Sequence, residues 1–277
     1  MLVNFDQMLK KALSGHYAVG SFNVYNYETI KGVLETAEEL KKPVIIALGA
    51  KYLENMSLES FVALVRSMAE RSEIPVCMHL DHCSDMDTVY RAIKAGFGSV
   101  MYDGSALPFS ENAGNTKAVC DVAHACGVTV EAELGSLAAG EKSHEGSADD
   151  RQVYTDPAAA KEFVGFTGVD ALAVSIGTVH GLYKGEPNIR VDILKEINAA
   201  LGIPLVLHGG SGTPESTIRE CIKNGITKIN VNTEISVYAV EKTKELLAAK
   251  QPHLSSVSLS QIKYVKEVVK KYVEFFN

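Results

Sequence analysis

Residues 75–102, PVCMHLDHCSDMDTVYRAIKAGFGSVMY, decide the fold. Pro75 opens an apolar run, Val76–Leu80, which ends in Asp81 and His82. A helix-length stretch follows, and Gly98 then introduces a second run, Ser99–Tyr102. Short runs that carry few charges are what strands covered on both faces look like. Two such runs joined by a helix-length crossover make a βα unit leading into the next strand. The pattern recurs in both directions, at Ala18–Phe22, Val44–Leu48, Thr129–Glu133, Ala171–Ser175, Leu205–Leu207 and Lys228–Val231. Pro43, Gly127 and Pro204 introduce three of these.

Helix-spaced apolar positions lie between the runs. Ile30, Val33, Leu34, Ala37 and Leu40 share one face, and so do Phe61, Leu64, Val65 and Met68. Asp156-Pro157 and Thr213-Pro214 each read as a capping side chain before a proline at the first helical position. Eight βα units predict an α/β fold, a closed (β/α)8 TIM barrel; a doubly wound open sheet is the alternative. Ile262, Val265, Val269, Tyr272 and Phe276 predict an extra C-terminal helix in a tail that starts near residue 255. The 277 residues would allow two domains, but no linker or compositional break divides them. Residues 1–277 therefore read as a single barrel domain.

Composition narrows the function. With 46% hydrophobic and 22% charged residues the chain has material for a core, so bulk disorder is excluded. A net charge of −7 argues against nucleic acid or an anionic membrane as partner. No apolar run approaches the roughly 20 residues of a membrane span. The start, MLVNFDQMLKKALSG, reads as an amphipathic segment rather than a signal peptide. Five cysteines form no CxxC pair, which suits a reducing cytoplasm.

In a parallel barrel the chemistry sits where strands end and βα loops begin. His82, His180 and His208 fall beyond three different strands at that rim. Three imidazoles with an open fourth position suit a catalytic zinc, and neutral ligands leave the ion its charge for polarising a carbonyl. Carboxylates stand beside them: Asp81, Asp103, Glu131 and Glu133. His79 shares a strand face with Asp81, as an orienting partner or as core. The turn Gly209-Gly210-Ser211-Gly212 precedes a helix and suits an anion, unless its glycines serve only a tight turn. Asn230, Asn232 and Thr233 add polar side chains at the next strand end, and Gly181 lets a substrate approach the backbone. Residues 134–155, which include Glu141, read as a lid or as a solvated excursion.

Together these residues resemble the class II, metal-dependent ketose-bisphosphate aldolases of the fructose- and tagatose-bisphosphate type. The likeness runs through SFNVYNYETI, PVCMHLDHCSD, SVMYDGSALPF, VEAELGSL, LAVSIGTVHGLYKGEP, PLVLHGGSG and TKINVNTE, over about residues 1–250. It implies an aldolase that reversibly cleaves a ketose 1-phosphate or 1,6-bisphosphate to dihydroxyacetone phosphate and an aldehyde. It further implies Zn²⁺ on His82, His180 and His208, with Asp103 and Glu133 supporting an alternative position or a second cation, and Asp81 as acid/base at the C4 hydroxyl. Glu141 is implied as the lid residue that exchanges a proton with carbon. Asn23, Gly181, Gly209, Gly210, Ser211, Asn230, Asn232 and Thr233 are implied to hold substrate and phosphate, with a monovalent Na⁺ or K⁺ nearby. A homodimer or homotetramer is the implied assembly.

Two departures concern the substrate. Ala138-Ala139 replaces a glycine pair common in the lid. Gln251-Pro252-His253 stands where bisphosphate-cleaving relatives commonly have Asp-Pro-Arg, whose arginine reaches the distal phosphate. A histidine lacks that bidentate fork, which leaves Lys51 or Lys266 as substitutes, or no second phosphate. The rival readings are a Schiff-base aldolase using Lys228 and a non-catalytic metal- and phosphate-binding subunit of a sugar-phosphate aldolase.

Overall fold

The computed structural model describes residues 1–144 and 152–277. Eight parallel strands close into a barrel: Val19–Asn23 (β1), Val44–Gly49 (β2), Val76–Cys83 (β3), Ser99–Tyr102 (β4), Thr129–Leu134 (β5), Ala171–Val174 (β6), Leu205–Leu207 (β7) and Ile226–Val231 (β8). Each pairs with its sequence neighbours, and β8 pairs with β1 to complete the ring. All eight expected strands are present, with ends shifted by at most two or three residues. This is the TIM barrel, and no edge is left open.

Tyr27–Leu40 (α2), Leu58–Ala69 (α3), Met86–Ala95 (α4), Phe109–Ala125 (α5), Pro157–Thr167 (α6), Val191–Leu201 (α7) and Glu215–Lys223 (α8) follow the first seven strands. Residues on the outward faces of the strands, such as Phe22, Ile46, Leu80, Val130 and Ile229, are buried against this helical layer. Asp156 caps α6 ahead of Pro157, as expected. Thr213 does not cap α8: its hydroxyl bonds to the Gly209 carbonyl and the Tyr183 hydroxyl instead. The amphipathic start, Phe5–Gly15 (α1), plugs the lower mouth of the barrel. Its Phe5, Met8, Leu9 and Ala12 pack on Val19, Ile45, Cys77, Ala171 and Val206.

After β8, Thr233–Ala249 (α9) and Leu254–Phe275 (α10) form a helical hairpin. The α10 helix lies along α2, where Gly32 is in close contact with Val265 and Lys266 pairs with Glu35 and Glu39. Lys266 is therefore tied to the outer face of α2. The start of the segment that follows β5 is anchored too: Ala138–Ala139 pairs in parallel with Val179–His180, and Glu141 bridges to Leu182 through two 2.8 Å bonds. Residues 145–151 of the expected lid lie outside the described residues. Among the described residues no helix is long and apolar enough to cross a membrane.

Candidate metal centre and active site

Alternation along β3 turns Cys77, His79 and Asp81 inward and Val76, Met78 and Leu80 outward. Regular alternation would send His82 outward. Instead the register shifts between Leu80 and Cys83, and His82 takes φ 44°, a left-handed backbone unusual outside glycine. This bulge is why consecutive residues, Asp81 and His82, both reach the site.

His82, His180 and His208 converge from three loops. Ring centroids are 4.4 Å apart for His82 and His208, and 5.0 Å for His82 and His180. One nitrogen from each lies within 4.8 Å of the others. His82 Nε2, His208 Nδ1 and both nitrogens of His180 are buried without a hydrogen-bond partner. The other nitrogens are accounted for. His82 Nδ1 donates to Asp103 Oδ2 at 2.8 Å, and His208 Nε2 donates to Glu131 Oε1 at 2.8 Å. A carboxylate behind an imidazole fixes its tautomer and aims the opposite lone pair, the usual support of a metal-binding histidine. Orphaned imidazole nitrogens facing one another are costly alone and fit a divalent cation well.

The electrostatics agree. Burial opposes a charge on His82, but Asp81, Asp103 and Glu133 overcome it and hold its pKa well above the ordinary value. The negative field that favours a proton there also favours a metal ion. Burial and the His82 charge push His180 down to about 4. Glu133 Oε2 has no hydrogen-bond partner and lies 3.4 Å from His208 Nδ1 and 4.0 Å from His82 Nδ1. Asp103 and Glu133 with His82 also form a group that could hold a cation. Asp103 lies behind His82, anchored by the amide and hydroxyl of Ser105.

Asp81 is fully buried beside the histidines. Asn23 Nδ2 donates to its Oδ2 at 2.9 Å, and Asn230 Nδ2 to its Oδ1 at 3.0 Å. Burial would raise its pKa, but His82, His79 and Lys228 hold it well below the usual carboxylate range. Its carboxylate is thus ionised and held in one orientation. Two residues expected at substrate, Asn23 and Asn230, turn their amides to this carboxylate. His79 Nδ1 bonds to Ser99 at 3.1 Å, and its Nε2 lies 3.7 Å from Asp81 and 3.6 Å from Glu131.

Gly181, Gly209, Ser211, Asn230, Asn232 and Thr233 line one recess beside the histidines. The N-terminus of α9 opens onto it, a favourable place for an anion. Gly209 (φ 72°) presses against the Val179 carbonyl, where a Cβ would come within 2.2 Å. Gly210 lies just below, its N–H donating to the Asn230 carbonyl at 2.9 Å. Asn232 is braced by two tyrosines: Tyr25 OH donates to its Oδ1, and its Nδ2 donates to Tyr52 OH at 2.9 Å. Glu141 has an exposed side chain. Lys51 is exposed near the β2 end of the rim, and His253 caps α10.

Glu131 and Lys228, on β5 and β8, form a pair that the sequence pattern does not assign. Lys228 is fully buried, with Nζ 2.9 Å from Glu131 Oε2. The Lys228 ammonium and His208 bring Glu131 down to about 2 against the opposing effect of burial. A Schiff-base lysine must be reachable by substrate, and Lys228 is fully buried against Glu131, which argues against that reading. The shared inward face of Glu131 and Glu133, and of Lys228 and Asn230, was the available signal.

Comparison with known proteins agrees with this geometry. The family described as class-II fructose-bisphosphate aldolase matches residues 3–277. A sulfofructosephosphate aldolase of Alkalicoccus urumqiensis is 43% identical over 240 residues, which cover 87% of this chain and 83% of the relative. A fructose-bisphosphate aldolase of Geobacillus stearothermophilus is 43% identical over 258 residues, covering 91% and 88%. The crystal structure of the YdjI aldolase from Escherichia coli K12 superposes with a TM-score of 0.89 at 38% identity, covering 100% of this chain and 98% of that one. The chain belongs to the class II fructose-bisphosphate aldolase family and is a metal-dependent aldolase, a carbon–carbon lyase.

Proposed function

We propose that the protein reversibly cleaves a ketose 1-phosphate or 1,6-bisphosphate, of the fructose or tagatose type, to dihydroxyacetone phosphate and an aldehyde. One observation carries this reading: unpartnered nitrogens of His82, His180 and His208 face one another beside the ionised Asp81. The two 43%-identical relatives are named for substrates that share a phosphorylated fructose and differ in the second anionic group. The dihydroxyacetone phosphate half is therefore better supported than the aldehyde half.

His82, His180 and His208 hold Zn²⁺ in this reading, with Asp103 and Glu133 serving a shifted position or a second cation. When bound, the ion polarises the ketone oxygen and stabilises the charge that builds there. Asp81 takes the C4 hydroxyl proton, and the amides of Asn23 and Asn230 hold its carboxylate toward that hydroxyl. Glu141, carried by the lid, gives a proton to the carbon freed by cleavage. The recess of Gly181, Gly209, Ser211, Asn230, Asn232 and Thr233, with Gly210 just below it, binds the C1 phosphate, with a monovalent Na⁺ or K⁺ beside it. Separate groups for the oxygen and carbon protons are what a retro-aldol cleavage requires.

The whole chain works as one barrel domain in the cytoplasm, where its five unpaired cysteines stay reduced. It assembles as a homodimer or homotetramer. Support comes from Val240, Leu247, Leu254 and Leu259, exposed large apolar residues of the α9–α10 hairpin. The test is a panel of ketose 1-phosphates and 1,6-bisphosphates in a coupled assay for dihydroxyacetone phosphate. Release of that product, abolished by EDTA and restored by Zn²⁺, is expected; inactivation by borohydride in its place would favour a Schiff-base enzyme.

A further inference from the structure

Lys228 is a fully buried ammonium at the centre of the barrel, and burying one is unfavourable unless each N–H finds a partner. Its Nζ meets Glu131 Oε2 at 2.9 Å, Glu131 Oε1 at 3.1 Å and Asn230 Oδ1 at 2.7 Å. Two of these are hydrogen bonds, to Glu131 Oε1 and Asn230 Oδ1, while Glu131 Oε2 stands at ion-pair distance without a hydrogen bond of its own. Below it lies the ring of Phe5 from the plug helix, with the centroid 5.9 Å away.

Two chains of bonds leave this node. Through Glu131, whose Oε1 also takes the Nε2 proton of His208, Lys228 holds the carboxylate that leaves His208 Nδ1 as the free lone pair. Through Asn230 it settles the orientation of an amide. Oδ1 must face the ammonium, so Nδ2 must face the other way, where it donates to Asp81 Oδ1. His79, Asp81 and Glu131 would otherwise pass as a cation site, their donor atoms lying within 4.8 Å of one another. At Glu131 the Lys228 ammonium already fills that role.

We propose that Lys228 is the positioning residue that sets both the ligand nitrogen of His208 and the hydrogen-bonding face of Asn230 toward Asp81. One fixed cation thereby registers the metal site and the proton acceptor to each other. This rests on the reading that the histidines bind a metal and Asp81 acts on substrate.

The test compares wild type with Lys228→Met by thermal melting, Co²⁺ affinity in competition with a chromophoric chelator, the Co²⁺ d–d spectrum, and kcat and KM. A positioning role predicts Co²⁺ affinity and kcat each lower by about 10–100-fold, an altered d–d band and a KM changed by no more than about threefold. Lys228→Met leaves Glu131 buried without its cation, so Lys228→Met/Glu131→Gln is made alongside it to remove that charge. The double variant is expected to fold and still lose kcat by at least about 10-fold, since the Asn230 amide is no longer held. A folded variant with wild-type d–d spectrum, affinity and kcat would overturn the assignment. So would failure of both variants to fold, which would make Lys228 a structural residue. Wild type that neither binds Co²⁺ nor cleaves any ketose phosphate sinks the aldolase reading; wild type that does both beside an indifferent variant sinks the Lys228 assignment alone.

Discussion

The lower and upper halves of the barrel interior are built from the same strands yet differ in kind. Inward positions change from Val19 through Ser21 to Asn23 on β1, and from Cys77 through His79 to Asp81 on β3. Below, α1 seals an apolar layer in which Phe5, Met8, Leu9, Ala12, Val19, Ile45 and Val206 are almost wholly buried. Each large apolar side chain there contributes about 1.5–3 kcal/mol. Above, four carboxyl side chains (Asp81, Asp103, Glu131 and Glu133) crowd around one ammonium and four histidines, His79, His82, His180 and His208. Burying that much charge costs stability, and the excess of carboxyl groups is what a divalent cation offsets. The lower half holds the barrel together so that the upper half can be preorganised at its expense.

Substitutions in the two halves should therefore fail in different ways. The largest effect is expected from His180→Ala, which removes a proposed ligand with two unpartnered nitrogens. Metal content measured after dialysis should fall to background, and cleavage with it, while the melting temperature of the metal-free protein stays near that of metal-free wild type. Asp81→Ala comes next: kcat should drop by about 10²–10⁴-fold, with metal content unchanged. Full activity in that variant would remove Asp81 from the chemistry. Glu131→Gln keeps an acceptor for His208 but weakens its hold on Lys228, so metal affinity should fall by about 10–100-fold. Leu9→Ala in the lower half is expected to do the reverse. A loss of about 2–5 kcal/mol in urea unfolding should leave kcat and metal content of the folded fraction unchanged. A Leu9→Ala enzyme that unfolds normally but loses metal would break the division between the halves.

The strands were legible because a parallel strand covered on both faces is an apolar run whatever its neighbours, so Val44–Leu48 and Leu205–Leu207 stand out unaided. The rim was legible because polar residues end those runs. What sequence could not show depends on backbone geometry and on contacts between distant strands. The bulge at His82 reverses the alternation that periodicity predicts. The Glu131–Lys228 pair joins residues on β5 and β8 that no local pattern links. Thr213 has the spacing of a helix cap, yet its hydroxyl turns back to Gly209 and Tyr183. Lys266 pairs with Glu35 and Glu39 on α2, partners about 230 residues away that its own sequence neighbourhood does not reveal.

The central claim is that a metal held by His82, His180 and His208 works with Asp81 to break a carbon–carbon bond. It is tested most directly by titrating Zn²⁺ into EDTA-stripped protein while following dihydroxyacetone phosphate release from fructose 1,6-bisphosphate, tagatose 1,6-bisphosphate and their 1-phosphates. No cleavage is expected without metal, and activity on at least one of these substrates should recover and saturate at about one catalytic ion per chain. His180→Ala should stay silent throughout the titration. Cleavage that persists in EDTA, or is restored equally in His180→Ala, would contradict it.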